Sequence, residues 1–225
     1  MKSDKISEAV VRRLPVYLRY LNDLQKREVN TVSSQELGQR LDLNPAQIRK
    51  DLAYFGDFGR KGIGYDVSYL IEKIRHILNL DQQINAVLVG AGNLGQALSN
   101  YNFYLEENMK IVAVFDSYPS KVGTQINTLT VQPMEELRET IQEKHIRVGI
   151  ITVPNVEAQN VADQLIESGI EAILNFAPTI LKAPPNVRIH AADFTTDLLS
   201  LAYYLDNETE EDSHDNTAGA VEVDH

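Results

Sequence analysis

The residues best placed to do chemistry are three glycines and a carboxylate, with no acid–base pair among them. Gly90-x-Gly92-x-x-Gly95 follows an apolar run, Ile84–Val89, that reads as a strand, and it opens a segment that reads as a helix. Glycines in such a turn let backbone N–H groups approach a pyrophosphate at the helix N-terminus. The stretch Gly90, Ala91, Gly92, Asn93, Leu94, Gly95 is therefore a candidate dinucleotide turn. Asp116 ends the next expected strand, 21 residues beyond Gly95. A carboxylate there accepts hydrogen bonds from ribose hydroxyls and repels a 2′-phosphate, which favours NAD(H) over NADP(H). A glycine-rich βα turn with a surface Asp would need the same residues. Nor does the motif separate a hydride-transfer enzyme from a sensor.

A second set is basic. Gln47, Arg49 and Lys50 fall in the first turns of an expected helix, where side chains can reach base edges in a major groove. Arg60 and Lys61 fall at the tip of a glycine-rich hairpin, where they could enter a minor groove or clamp phosphates. A solvated basic face is the plainer alternative. Tyr54, Phe55 and Phe58 read as core of this small module rather than as base-stacking groups.

These residues need elements to hold them. Pro15 fits the first turn of a helix running to about Lys26. Ser33 and Glu36 have capping-box spacing and open a helix through Leu41. Asn44 and Pro45 start a third helix, which runs to about Tyr54. The short Asp42-Leu43-Asn44 turn makes the pair a helix-turn-helix, Gly56, Gly59, Gly62 and Gly64 suit a wing hairpin, and a helix from about Ser68 to Leu78 closes the module. Strand and helix then alternate: strands at Ile84–Val89, Lys110–Phe115, Arg147–Val153 and Glu171–Asn175, with helices at Asn93–Tyr101, Pro133–Glu143 and Val156–Glu167. That order implies a parallel sheet covered on both faces. Phe194–Leu205 reads as an amphipathic helix, and an acidic tail expected to be disordered follows. The expected fold is α/β: a winged helix-turn-helix domain over 1–80, a Rossmann-type domain over 81–192, a helix over 193–205 and a tail over 206–225.

The net charge of −11 is unevenly spread. Residues 1–80 hold 14 Lys+Arg against 10 Asp+Glu, a net of +4, and the rest hold 7 against 22, a net of −15. A basic module on an acidic body is compatible with nucleic-acid binding. Cysteine is absent, which excludes thiol chemistry and disulfides, and no signal-like or membrane-length apolar run occurs. A cytoplasmic protein is expected. The five histidines lack metal-ligand spacing, so no metal is expected. Only about 30 residues separate the last expected strand from the tail, too few for a substrate domain. That weighs against the main rival, a small NAD-dependent dehydrogenase with a helical appendage. A DNA architectural protein without sensing leaves the glycines and Asp116 unexplained.

Over roughly residues 5–205 the chain resembles the Rex family of redox-sensing transcriptional repressors. The resemblance is carried by Arg13-Leu14-Pro15, Ser33-Ser34-x-Glu36-Leu37, Ile48-Arg49-Lys50-Asp51-x-x-Tyr54-Phe55-Gly56, Gly62-x-Gly64-Tyr65, Gly90–Gly95, Thr152-Val153-Pro154 and Leu174-Asn175-Phe176-Ala177-Pro178. It implies a homodimer with an exchanged C-terminal helix, bound to a palindromic operator and released when NADH binds, with NAD+ opposing release. No enzymatic activity is expected. It implies nucleotide contacts from the glycine turn, Asp116, Thr152, Val153, Pro154, Asn175, Phe176, Ala177, Pro178 and Phe194. It implies DNA contacts from Ser33, Ser34, Gln47, Arg49, Lys50, Tyr54, Arg60, Lys61 and Gly62. It also implies a switch in which Arg19, Tyr101 and Asp193 meet across the dimer. Family members commonly carry Arg before the wing glycine. Lys61 stands there in this chain with Arg60 beside it, which leaves open which of the two enters the minor groove.

Overall fold

The computed structural model describes residues 7–54, 56, 59–60, 64–100 and 108–211. It divides into two compact units, Met1–Gln83 and Ile84–His225.

The first unit is a winged helix-turn-helix. Helix α1 spans Glu8–Lys26, with Ser7 as its N-cap accepting from Val10 N. Its start corrects the sequence expectation, because Pro15 lies inside the helix rather than in its first turn. An interior proline removes one backbone bond and costs about 3 kcal/mol. Burial on both sides offsets that cost: Leu14, Tyr17, Leu18 and Leu21 are all buried. Strand β1, Thr31–Val32, was not foreseen, since two β-branched residues are too few to give a period. Ser33 caps α2 (Ser34–Leu41) by accepting from Glu36 N at 3.0 Å. The chain then turns at Asp42, which is left-handed at φ 52. Asn44 caps α3 (Pro45–Ala53) through Ala46 N at 2.8 Å. Strands β2 (Gly59–Arg60) and β3 (Gly64–Asp66) complete an antiparallel sheet of order β1-β3-β2. Helix α4, Val67–Ile77, is capped by Asp66 and packs on α1.

The second unit is a doubly wound sheet. Its strands are β4 (Ile84–Val89), β5 (Met109–Asp116), β6 (Gln125–Ile126), β7 (Leu129–Pro133), β8 (Val148–Ile151), β9 (Ala172–Asn175) and β10 (Arg188–Ala191). They lie in the order β10-β9-β8-β4-β5-β7-β6, parallel except for the edge strand β6. The β6–β7 hairpin and β10 were missed in sequence: β6 and β10 are edge strands of two and four residues, and β7, between β5 and β6, alternates over only Leu129–Gln132. Helices α5 (Asn93–Asn100), α6 (Leu137–Glu143) and α7 (Asn155–Glu167) supply the cover. Pro133 ends β7, and a 3-10 turn at Met134–Glu136 precedes α6, so the helix expected from Pro133 starts four residues later.

Along β4 the side chains alternate. Val87 and Val89 join a core with Leu137, Ile141, Val161 and Leu165, whereas Ala86 and Leu88 join one backed by Leu98 of α5. Both faces of β4 are thus buried, which makes it the rigid strand from which the glycine turn departs.

Helix α8 runs Phe194–Glu211, six residues beyond the expected end at Leu205. Residues 206–211, Asp-Asn-Glu-Thr-Glu-Glu, contain neither Gly nor Pro, and their three glutamates are good helix formers, so no breaker stops the helix before Glu211. The expected disorder is thereby corrected for 206–211, while 212–225 lie outside the described residues.

Candidate functional site

Strand order reverses at β4: the chain moves outward through β5 and β7 on one side, and through β8, β9 and β10 on the other. Ligands of open α/β sheets bind at such a point, beyond the C-terminal ends of the strands. An open cleft of about 550 Å³ lies here, with walls that include Gly90 and Gly92 after β4, Asp116 ending β5, and Thr152, Val153 and Pro154 after β8.

The three glycines are not equivalent. Gly90 has φ +109, and a Cβ on it would stand 2.8 Å from the Thr152 carbonyl carbon and oxygen. A Cβ on Gly95 would stand 1.9 Å from the Gly90 carbonyl oxygen. Both are glycine because the protein packs against them. A Cβ on Gly92 would meet nothing within 4 Å. The first turn of α5 therefore has open space where a pyrophosphate would lie. Thr152 fixes the turn from β8, its hydroxyl donating to Gly90 O at 2.7 Å or Val89 O at 3.1 Å.

Asp116 is 4% exposed. Its Oδ2 accepts from Ala91 N at 2.7 Å and from Lys121 Nζ at 3.0 Å, and Oδ1 accepts from Tyr118 N at 2.9 Å. Tyr118 and Lys121 also line the cleft, as do Glu157, Asn160 and Gln164 of α7. None of these was foreseen. The signal available for the first two was their position two and five residues past the acidic strand end.

The remaining nucleotide candidates lie elsewhere in this unit. Asn175, Ala177 and Pro178 line a separate hollow of about 190 Å³ with Thr179, Ile180, Ala191, Ala192 and Asp193. The Asn175 side chain is committed to backbone: Nδ2 donates to Ala177 O at 3.1 Å and Thr179 O at 3.0 Å, while Oδ1 accepts from Ala177 N at 2.9 Å. It shapes that loop. Phe176 is half-buried, its N donating to Ile151 O. Leu94 on α5 and Phe194 at the start of α8 are exposed.

In the first unit, Arg49 and Lys50 stand exposed on α3, and Arg49 Nη1 donates to Ser34 Oγ at 2.9 Å. Ser33 is occupied as a cap. Gln47 instead faces inward, with Nε2 donating to Asp51 Oδ1 at 2.7 Å. Tyr54 is exposed, which corrects its reading as core. It follows the last turn of α3, past the point where Ile48 and Leu52 bury the helix. Arg60 pairs with Gly64 through the backbone, while Phe55, Phe58, Lys61 and Gly62 lie outside the described residues.

Sequence reasoning missed the ion network beneath α3. Asp51, fully buried, takes Arg13 Nε at 2.6 Å, Arg13 Nη2 at 2.8 Å, Tyr17 OH at 2.7 Å and the Gln47 amide. Burial pushes its pKa up, but the bonds from Arg13, Tyr17 and Gln47 together outweigh that and hold the carboxyl below the usual carboxylate range. The available signal was two i,i+4 pairs, Arg13/Tyr17 and Gln47/Asp51, each on one helix face.

Of the switch residues, Arg19 is exposed on α1 and Tyr101 lies outside the described residues. Asp193 caps α8, accepting from Thr195 N, Thr196 N and Thr196 Oγ1, bonds that lower its pKa. Among the described residues no group of three or more His, Cys, Asp or Glu could hold a metal ion, and no helix is long and apolar enough to cross a membrane.

Comparison with known proteins gives a consistent result. Residues 81–179 match the family model described as CoA binding domain, and residues 5–53 match the one described as putative DNA-binding protein N-terminus. The chain is 63% identical to the redox-sensing transcriptional repressor Rex of Brevibacillus brevis, over 91% of this chain and 99% of that one. It is 47% identical to the protein of the same name from Chloroflexus aggregans, over 92% and 98%. A crystal structure of RSP with β-NAD+ and operator DNA superposes with a TM-score of 0.85 at 37% identity, covering 96% of this chain and 99% of that one. RSP with β-NADH gives 0.82 at 36% identity, covering 92% and 98%.

Proposed function

This chain belongs to the Rex family of redox-sensing transcriptional repressors, and from that premise we propose how its parts do the work. It binds operator DNA through the N-terminal unit and NAD(H) through the C-terminal one. NADH releases the operator and NAD+ opposes release. It is a regulator rather than an enzyme, and it acts in the cytoplasm. Support comes from its relatives' names and from RSP, whose structures were obtained with NAD+ on operator DNA and, separately, with NADH.

The observation that carries the nucleotide assignment is the contrast among the glycines. Gly90 and Gly95 are filled by protein, whereas Gly92 faces open space beside a buried carboxylate. The residues present therefore fit a dinucleotide: backbone donors at the start of α5 for the pyrophosphate, and Asp116 for the adenosine ribose. Thr152, Val153 and Pro154 form the facing wall. The hollow at Asn175, Ala177 and Pro178, with Phe176 and Phe194 nearby in sequence, is the nicotinamide side of this proposal.

On the DNA side, Arg49 and Lys50 read base edges, with Ser33, Ser34, Tyr54, Arg60, Lys61 and Gly62 contributing contacts around them. Gln47 reaches a base only by leaving Asp51. As a homodimer, two such helices would sit roughly 34–36 Å apart on a palindromic operator. Helix α8 supplies the dimer contact. Its Leu198, Leu201 and Leu205 recur at helical spacing and are 50%, 58% and 76% exposed, an apolar face unusual for a finished surface. Arg19, Tyr101 and Asp193 form the relay between the two functions, and the ligand shifts an existing equilibrium rather than creating a new state.

A gel shift on promoter DNA, with NADH and NAD+ titrated separately, tests this. NADH should release the complex and NAD+ should oppose it. Binding indifferent to both nucleotides would leave a DNA-binding protein without a sensor. Lys50→Ala should weaken operator binding by roughly 1–3 kcal/mol with the free protein's NADH affinity kept.

A further inference from the structure

The adenosine end of the cleft holds a cation that the glycine motif does not require. A carboxylate offers about four acceptor positions. Three on Asp116 are filled, by Ala91 N, Lys121 Nζ and Tyr118 N, and the remaining one is on Oδ1. A ribose presenting two neighbouring hydroxyls cannot donate both to Asp116 while Lys121 keeps its place. The ammonium of Lys121 has donors to spare, since only one of its three N–H groups is needed for Asp116. It stands 4.9 Å from the centroid of the Tyr118 ring, and both residues line the cleft. Lys121 is also partly open to solvent at the cleft wall, with 36% of its side chain exposed.

Discrimination against a 2′-phosphate depends on repulsion between like charges at this point. An unpaired Asp116 would repel a phosphate dianion. The Asp116–Lys121 pair carries no net charge and offers the phosphate a donor, because ammonium groups bind phosphate as point charges.

We propose that Lys121 is a specificity-determining residue of this site. It neutralises Asp116 and presents its ammonium to a phosphate on the adenosine ribose, so that NADPH is turned away less steeply than Asp116 alone would dictate. The inference rests on the nucleotide-binding reading above and adds a second residue to it.

The experiment is a direct titration of the full chain with NADH and with NADPH, in wild type, Lys121→Met and Lys121→Arg. Removing a charge-assisted bond to phosphate should raise the NADPH-to-NADH Kd ratio by about tenfold in Lys121→Met. Lys121→Arg keeps a cation and should stay near the wild-type ratio. Lys121→Gln removes the charge at similar length and reads the same ratio should the methionine variant fail to fold. A ratio that is unchanged or lower without the charge overturns the inference. A wild-type protein that binds neither nucleotide overturns the nucleotide reading itself, and this inference with it.

Discussion

Among the described residues each unit buries one aspartate, and the two are treated in opposite ways. Asp51 sits under α3 with all of its roughly four acceptor positions filled by its own chain: two guanidinium N–H groups, a phenol and an amide. Asp116 has three donors and a cleft beside it. A carboxylate saturated by protein holds structure together. One left a donor short, next to open space, keeps an acceptor position that a ligand could use. Burial alone does not separate them, since one is fully buried and the other 4% exposed. The count of donors does.

The sharpest way to break the comparison is to open the closed network. Arg13→Met removes two donors and the compensating charge while Asp51 stays buried. Breaking a buried pair from one side costs about 3–5 kcal/mol. Urea unfolding should report that loss, and NADH affinity should be kept, because the cleft lies in the other unit. A loss under about 1 kcal/mol would mean that Asp51 reaches water or changes partner, and that saturation is not what holds α3 to α1.

The second break closes the open site. Gly92→Asp puts a negative side chain where a Cβ meets nothing within 4 Å, so the fold should survive. NADH affinity should fall by at least about 100-fold, near 3 kcal/mol, and the operator complex should no longer respond to NADH. Retained NADH release would remove this turn from the sensor. Gly95→Ala is the wrong probe, because its methyl would collide with the Gly90 carbonyl oxygen.

What was legible in the sequence follows the same division. The glycine turn and Asp116 could be read because close backbone approach imposes a residue type at fixed spacing along one βαβ unit. The caps at Ser33 and Asn44 could be read because an N-cap bond spans two or three residues. Asp51 could not, because its main partner, Arg13, is 38 residues upstream and only folding brings them together. Gln47 was assigned to a base on its helix position alone, although its i,i+4 partner Asp51 was in plain view. Strands β1, β6, β7 and β10 were lost because segments of two to five residues carry too little period. Pro15 misled for a different reason: tertiary burial of Leu14, Tyr17 and Leu18 overrides a local helix breaker.

Smaller in effect is removal of the open carboxylate. Asp116→Ala should weaken NADH by about 10-fold, the worth of a charged hydrogen bond, and should narrow the gap between NADH and NADPH. Lys121 then stands without its counter-ion, so NADPH should gain more than NADH loses. A variant with wild-type selectivity would show that the adenosine ribose does not meet Asp116.

The smallest effect tests the closed network by proton linkage. The Tyr17 hydroxyl is buried and donates to Asp51, and burial first, then that bond, raises its pKa well above the ordinary 10.0. The folded protein therefore keeps a proton that the unfolded chain releases above about pH 10. Tyr17's contribution to stability is complete below that pH and is lost as pH rises from it toward the folded value. The loss approaches about 1.4 kcal/mol per pH unit. Asp51 has the opposite sign: with its pKa held below 3.8, its contribution is present above that pH and is lost as pH falls through the folded value. Tyr17→Phe should cost about 1 kcal/mol at neutral pH, one hydrogen bond, since Asp51 keeps three donors. Its larger signature is a flatter alkaline limb, because phenylalanine has no proton to lose. Tyr65, whose pKa burial also raises, titrates in both proteins, so the difference between their urea midpoints from about pH 9 to 11 isolates Tyr17. If the two midpoints fall in parallel over that range, the Tyr17 hydroxyl ionises as readily in the folded protein as in the unfolded one. Asp51 would then be short of a donor, and the two aspartates would differ less than their hydrogen bonds indicate.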